Sequence, residues 1–232
     1  MNLQLASAAL ILALTSLQVQ NTTAQTHFEK RSAIIEKDLA AIPDSTTATI
    51  VMLGDSITEQ FSTTESLPPT IHGLQVVNQG IGGDNIGTST SKTGVMSRLD
   101  FVKRATPAIV FVMIGVNDLW NKEEPLEPTI SEYEAMVPAL KAAVPDAKIV
   151  LQSVLPARDK AAYTNEKSGP LNEKIKELAQ QHGLIWLDLR PLMQDEKGEL
   201  KAEFTGDGVH LNKEAYKLWL EKLNETAAGL LK

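Results

Sequence analysis

Cysteine does not occur among the 232 residues, which excludes thiol nucleophiles, thiolate metal sites and disulfides together. Basic clusters are missing as well. The 22 Lys and Arg stand against 29 Asp and Glu, and the net charge of -7 disfavours nucleic acid and anionic membrane as partners. No internal repeat, low-complexity tract or interdomain linker interrupts the chain. The apolar stretch at residues 3–17, LQLASAALILALTSL, is short for a membrane span and broken by Ser and Thr.

That stretch resembles a secretory signal peptide instead. NTTAQ follows it, with small residues at Thr22 and Ala24, and cleavage is expected after Ala24. Residues 25–232 would then form a single secreted or periplasmic domain with no stable membrane insertion. No Lys or Arg precedes the apolar run, so the amino terminus alone supplies its positive charge. An uncleaved anchor and a first helix of the fold stay open as alternatives. Without cysteine, a lipid-anchored lipoprotein is excluded.

Beyond residue 24, short β-rich runs alternate with helical patterns. Strands are expected at 48–53, 74–78, 108–114, 148–155 and 184–189, and several are nearly continuous apolar runs, as parallel strands covered on both faces are. Helices are expected at 27–41, 90–104, 129–143, 167–182 and 212–230, with Gly183 a helix stop and 121–128 (NKEEPLEP) a surface loop. This alternation predicts an α/β fold, a three-layer α/β/α sandwich on a parallel sheet of about five strands. In such sheets ligands sit beyond the carboxyl ends of the strands.

Four segments stand there or close the chain: Gly54-Asp55-Ser56, NQGIGGDN (78–85), Gly115-Val116-Asn117-Asp118 and DGVHLN (207–212). Each has an ordinary reading. Ser56 and Glu59 fit a helix capping box, and Thr58 stands where the G-x-S-x-G elbow has its last glycine. The glycine cluster fails as a dinucleotide loop, because G-x-G-x-x-G from Gly80 would need glycine at Asn85. Asn117-Asp118 could be a polar turn, and Asp207 and His210 a surface loop ahead of a helix capped by Asn212.

Together the segments complement one another. Of four histidines, His27 lies beside the presumed cleavage site, His72 precedes a strand and His182 ends a helix. His210 alone has an aspartate, Asp207, spaced to fold back onto it; that carboxylate can fix the imidazole tautomer and leave Nε2 free as a base. Ser56 supplies a nucleophile, Gly83 a closely approachable backbone donor and Asn117 a neutral side-chain donor for an oxyanion. The set is complete for acyl transfer.

The order GDS, N-x-G-x-G-G-D, G-x-N-D and D-x-x-H, spanning about residues 48–230, resembles the SGNH subgroup of GDSL esterases and lipases. The resemblance implies a flavodoxin-like SGNH hydrolase fold, with Ser56 as nucleophile and, through its amide, first oxyanion donor. It makes Gly83 and Asn117 the further donors, His210 the base and Asp207 its orienting acid. Asp55 and Asp84 match motif aspartates that brace the site. GIGGD and LPARDK look most like the platelet-activating-factor acetylhydrolase-like branch, while Leu211 departs from the proline many members carry after the histidine. No metal or cofactor is implied. The expected function is hydrolysis of short-chain, acetyl-type esters, carried by a small molecule or carbohydrate. A short-chain thioesterase or lysophospholipase would use the same machinery, and a non-catalytic carbohydrate-binding relative is the rival of another class. Trp120, three residues past Asn117, could stack on a sugar ring or pack under its own loop.

Overall fold

The computed structural model describes residues 27–43 and 48–232; the expected signal peptide lies outside the described residues. The first strand, β1 (Thr49–Gly54), is buried along its whole length, as its Ile50-Val51-Met52-Leu53 run demands of a central strand covered on both faces. Around it lie β2 (Thr70–Ile71), β3 (Leu74–Gly80), β4 (Pro107–Met113), β5 (Lys148–Gln152) and β6 (Ile185–Leu187), in the order β2-β3-β1-β4-β5-β6. Five of these strands are parallel, and β2 adds a two-residue antiparallel edge beside β3.

Helices cover both faces. Residues 27–40 form α1. It is followed by α2 (Ser56–Thr63), α3 (Leu99–Arg104), α4 (Glu127–Ala143), α5 (Asn165–His182), the short α6 (Arg190–Met193) and α7 (Lys213–Leu230). On one face α3 packs on α4 and α4 on α5. On the other, α7 grips α2 through a stack in which Phe61 lies 4.8 Å from the ring centroids of both Tyr216 and Trp219. All three aromatic side chains are fully buried, a core contribution of several kcal/mol from area alone, at about 25 cal/mol per Å2. Gly183 ends α5 in the left-handed conformation, at φ 66°, as expected of a glycine stop.

Three local expectations shift, each for a physical reason. The helix foreseen from residue 90 begins later, as a 3-10 turn at Val95–Arg98 leading into α3. Upstream, the Ser91 hydroxyl accepts from the Thr88 amide at 2.9 Å, and such local side-chain bonds compete with helix. The strand foreseen to 155 ends at Gln152, because the Asn172 side chain takes both the N–H and the C=O of Val154, at 2.8 and 2.9 Å. The strand foreseen at 184–189 shortens to the half-buried β6 at the sheet edge. The 121–128 insert is a surface loop up to the start of α4, held by Lys167 Nζ on the carbonyls of Asn121, Lys122 and Glu124.

The register at the carboxyl end of β1 positions the loops that follow the central strands. Gly54 at the end of β1 is in register with Gly80 of β3 on one side and Met113 of β4 on the other. Strand order reverses there, so the segments after β1, β3 and β4 emerge side by side at the switch point.

Candidate active site

Ser56 is the first residue of α2, directly beyond β1. It does not cap the helix. Asp55 does: its Oδ1 accepts from the amide of Ile57 at 2.9 Å. Glu59 turns away from the cap as well, and its Oε2 accepts from the amide of Gly82 at 2.5 Å. The capping-box reading of Ser56 and Glu59 is therefore corrected, and the Ser56 hydroxyl is left for another partner. That partner is His210, whose Nε2 lies 2.9 Å away.

His210 is held in turn. Its Nδ1 sits 2.6 Å from Asp207 Oδ2, while Asp207 Oδ1 accepts from the amides of Val209 and His210 at 3.0 and 2.8 Å. Partial burial works against the Asp207 charge, yet the ring of His210 and these two amides outweigh it and bring the carboxyl down to about 2. The loop carrying the pair is pinched at its base by an isolated antiparallel bridge between Thr205 and Leu211. It is also tied to the LPARDK segment, since Arg158 N donates to Gly208 O at 2.8 Å. Beyond it, Asn212 caps α7 through Ala215 N at 3.1 Å, as its position before a helical pattern predicts.

The glycine loop after β3 packs against the start of α2. Gly80 has no room for a side chain, because a Cβ there would fall inside the backbone of Thr58 and Glu59. Asp84 N donates to Ile81 O at 3.1 Å and closes a turn whose third residue, Gly83, has φ 75°, a value that favours glycine. Gly83 is exposed, and its amide donates to no other described residue. Asn117 reaches the same place from β4: its Nδ2 donates to Asp84 O at 2.7 Å and its Oδ1 accepts from the Trp120 indole at 3.1 Å. One amide hydrogen of Asn117 stays free beyond that pair of bonds. Trp120 packs edge-on against Tyr163, whose hydroxyl donates to the Trp120 carbonyl at 2.7 Å.

Beneath the site lies a layer that sequence reading only partly reached. Asp55 is fully buried, and burial, with the nearby Asp84 charge, pushes its carboxyl up to about 7 against the pull of the Ile57 amide. Asp84 is also raised by burial, opposed by Arg98, which meets its Oδ2 from Nε at 3.0 Å and Nη2 at 2.6 Å. Arg98 spans the switch point, donating to Gln79 O at 2.6 Å and Gly54 O at 3.0 Å. An arginine inside an unremarkable helical pattern carries no sign of this in the sequence. Asp118 joins the two loops by accepting from Ile86 N at 3.2 Å, and burial raises its carboxyl well above the ordinary range.

The structure thus gathers Ser56, Gly83, Asn117, Asp207 and His210 at one end of the sheet, with Asp55 and Asp84 below and Trp120 at the rim. His72 lies elsewhere, on Asn224 O, and His182 ends α5. His27 joins neither group; it stands 3.0 Å from Glu59, beside the glycine loop.

The chain is 25% identical over 185 residues to the rat platelet-activating factor acetylhydrolase IB subunit alpha2, covering 78% of this chain and 77% of the relative. Its fold matches a Streptococcus pneumonia protein provisionally termed a platelet activating factor, with a TM-score of 0.74 and 24% identity over 92% of this chain and 98% of the other. A carbohydrate acetylesterase from Sinorhizobium meliloti shares the fold with a TM-score of 0.62 and 16% identity, over 79% of this chain and 99% of its own. The model of the GDSL-like lipase/acylhydrolase family runs from within β1 to within α7, residues 52–218, and the chain belongs to that family of ester hydrolases.

Proposed function

We propose that the protein is a serine esterase that cleaves short-chain acyl esters, acetyl above all, from carbohydrate through an acyl-enzyme intermediate. The observation that carries the chemistry is the unbroken chain from Asp207 through His210 to the Ser56 hydroxyl, at 2.6 and 2.9 Å. Ser56 Oγ attacks the ester carbonyl and its proton passes to His210 Nε2. The tetrahedral oxyanion meets the amides of Ser56 and Gly83 and the free hydrogen of the Asn117 side chain. As the carbon–alkoxy bond breaks, His210 returns the proton to the departing alcohol. Water then adds to the acyl carbon while His210 takes its proton, and the carboxylic acid leaves as Ser56 recovers its hydrogen. Asp207 stays ionised throughout, since its carboxyl titrates only near 2, and it supports the imidazolium without taking the proton.

The choice of acetyl is supported by the likeness to a platelet-activating factor acetylhydrolase subunit, and that of a carbohydrate alcohol by how open the site is. The side chains of Asp207 and His210 are 56% and 32% exposed, so a bulky polyhydroxyl alcohol can approach them. Trp120 is 41% exposed at the rim beside Asn117, where its ring can stack on a sugar face. The fold shared with a carbohydrate acetylesterase adds support.

The test is a p-nitrophenyl ester chain-length series run beside acetylated xylan, acetylated pectin and acetylated sialic acid. Acetate is expected to be the best acyl group and at least one acetylated carbohydrate a better substrate than p-nitrophenyl acetate. An optimum at eight carbons or longer would overturn the short-chain reading. Trp120→Ala should weaken KM for the carbohydrate ester more than for p-nitrophenyl acetate; equal effects on both would remove Trp120 from substrate contact.

A further inference from the structure

Glu59 looks by sequence like the glutamate of a helix cap, yet its side chain serves another segment entirely. Its carboxylate is 15% exposed and lies between α1, α2 and the glycine loop. Oε2 accepts from Gly82 N at 2.5 Å and lies 3.0 Å from His27 Nε2; Oε1 lies 3.8 Å from Arg31 Nε. Arg31 ties the same neighbourhood down, donating to Gly80 O at 2.9 Å and Asn78 O at 2.8 Å.

Each amide of the Ile81–Asp84 turn has a defined fate. Ile81 N goes to Gly54 O at 3.1 Å and Asp84 N to Ile81 O at 3.1 Å. Gly82 N goes to Glu59, and of the four only Gly83 N has no partner among the described residues. In a turn of this kind the direction of the third residue's N–H is set by the peptide joining the two central residues. That peptide follows directly on the one Glu59 holds. Glu59 itself is anchored in the first turn of α2, where its amide donates to Asp55 O at 2.9 Å, three residues from Ser56. A charge-assisted bond to a partly buried carboxylate is short and directional, and misplacing a donor by about 1 Å costs on the order of a hundredfold in rate.

We infer that Glu59 is a positioning residue: its carboxylate links the helix bearing Ser56 to the loop bearing Gly83 and so sets the distance between nucleophile and oxyanion donor. The inference rests on Ser56 and Gly83 having the roles proposed above. His27 and Arg31 flank the carboxylate, and a Cβ at Gly82 would crowd this cluster, coming within 3.0 Å of His27 Nε2 and 3.2 Å of Glu59 Oε2.

The test is steady-state hydrolysis of p-nitrophenyl acetate by Glu59→Ala, Glu59→Asp and Glu59→Gln, with Ser56→Ala alongside. Glu59→Ala and Glu59→Asp, whose shorter arm cannot reach Gly82, should lose about tenfold to a hundredfold in kcat, with KM changed less than about twofold. Glu59→Gln keeps an acceptor oxygen for the Gly82 amide and should recover most of that loss. A folded Glu59→Ala or Glu59→Asp enzyme with wild-type kcat would overturn the inference, as would a loss confined to KM. If the alanine variant does not fold, the aspartate variant decides by the same criterion. Ser56→Ala separates the two levels: its retained activity would sink the parent mechanism, whereas its inactivity beside a fully active Glu59→Asp would sink only the role of Glu59.

Discussion

Asp55 and Ser56, adjacent in the chain, divide between them the two tasks that the start of a helix after β1 could impose on one residue. Asp55 Oδ1 satisfies the Ile57 amide at 2.9 Å, and Ser56 Oγ meets His210 at 2.9 Å. A hydroxyl that also had to cap the helix would be a poorer nucleophile, since its lone pairs would be engaged by amide donors.

The division makes Ser56→Ala a clean probe. Activity should fall by at least about 10⁴-fold, leaving whatever the oxyanion donors supply, while Tm stays close to wild type because the cap is intact. Steady-state kinetics and a thermal melt on the same preparation check both halves. Substantial turnover in pure Ser56→Ala protein would exclude the mechanism.

His210→Ala should be as damaged as Ser56→Ala, and Asp207→Asn less so. The Asp207 side chain is 56% exposed, so water can partly replace it, and its loss should fall short of the roughly 10⁴-fold that a buried triad acid commands. Because the pair acts as a unit, the double variant should lose far less than the product of the single losses. Fully multiplicative losses would separate Asp207 from His210.

Asp55 gives a stability signature with a definite sign. Its folded carboxyl is raised to about 7 from an unfolded value of about 4, so ionising it penalises the folded state. The penalty is absent below about pH 4, grows as pH rises and is complete above about 7. Asp55→Asn keeps an oxygen for the Ile57 amide and removes the charge, so the Tm of wild type minus that of Asp55→Asn should shrink across this window. Parallel Tm curves for the two proteins would show that Asp55 does not titrate there.

Arg98 is the sharpest stability prediction. Arg98→Met leaves Asp84 buried without its cation and should cost about 3–5 kcal/mol, with loss of activity as the glycine loop loosens. Adding Asp84→Asn should restore part of the stability by removing the stranded charge. Chemical denaturation of wild type, single and double variants checks this. An Arg98→Met protein as stable as wild type would mean that the ion pair holds nothing.

What the sequence disclosed follows from which forces are local. Ile50–Leu53 and Ile109–Met113 announce buried parallel strands because burial on both faces leaves no polar position. Asp207 and His210 stood out because a three-residue spacing suffices for their contact. Glu59 satisfies a capping box by its local pattern, while its actual partner, Gly82, is 23 residues away and is reached only once β1 and β3 pair. Arg98 was invisible for the same reason: its partners Gly54, Gln79 and Asp84 converge only in the folded sheet.

Export remains a proposal from the apolar run and the small residues before residue 25. Intact-mass measurement of protein from its native host should show the first 24 residues removed. A full-length mass in a cytoplasmic fraction would refute it.

Ser56 and His210 are 154 positions apart in the chain and 2.9 Å apart in the fold. The contact exists only where the folded sheet brings the end of β1 and the closing loop together. A chain that has not brought the two together lacks the dyad, so esterase turnover is expected to track the folded fraction and to serve as an assay of refolding yield.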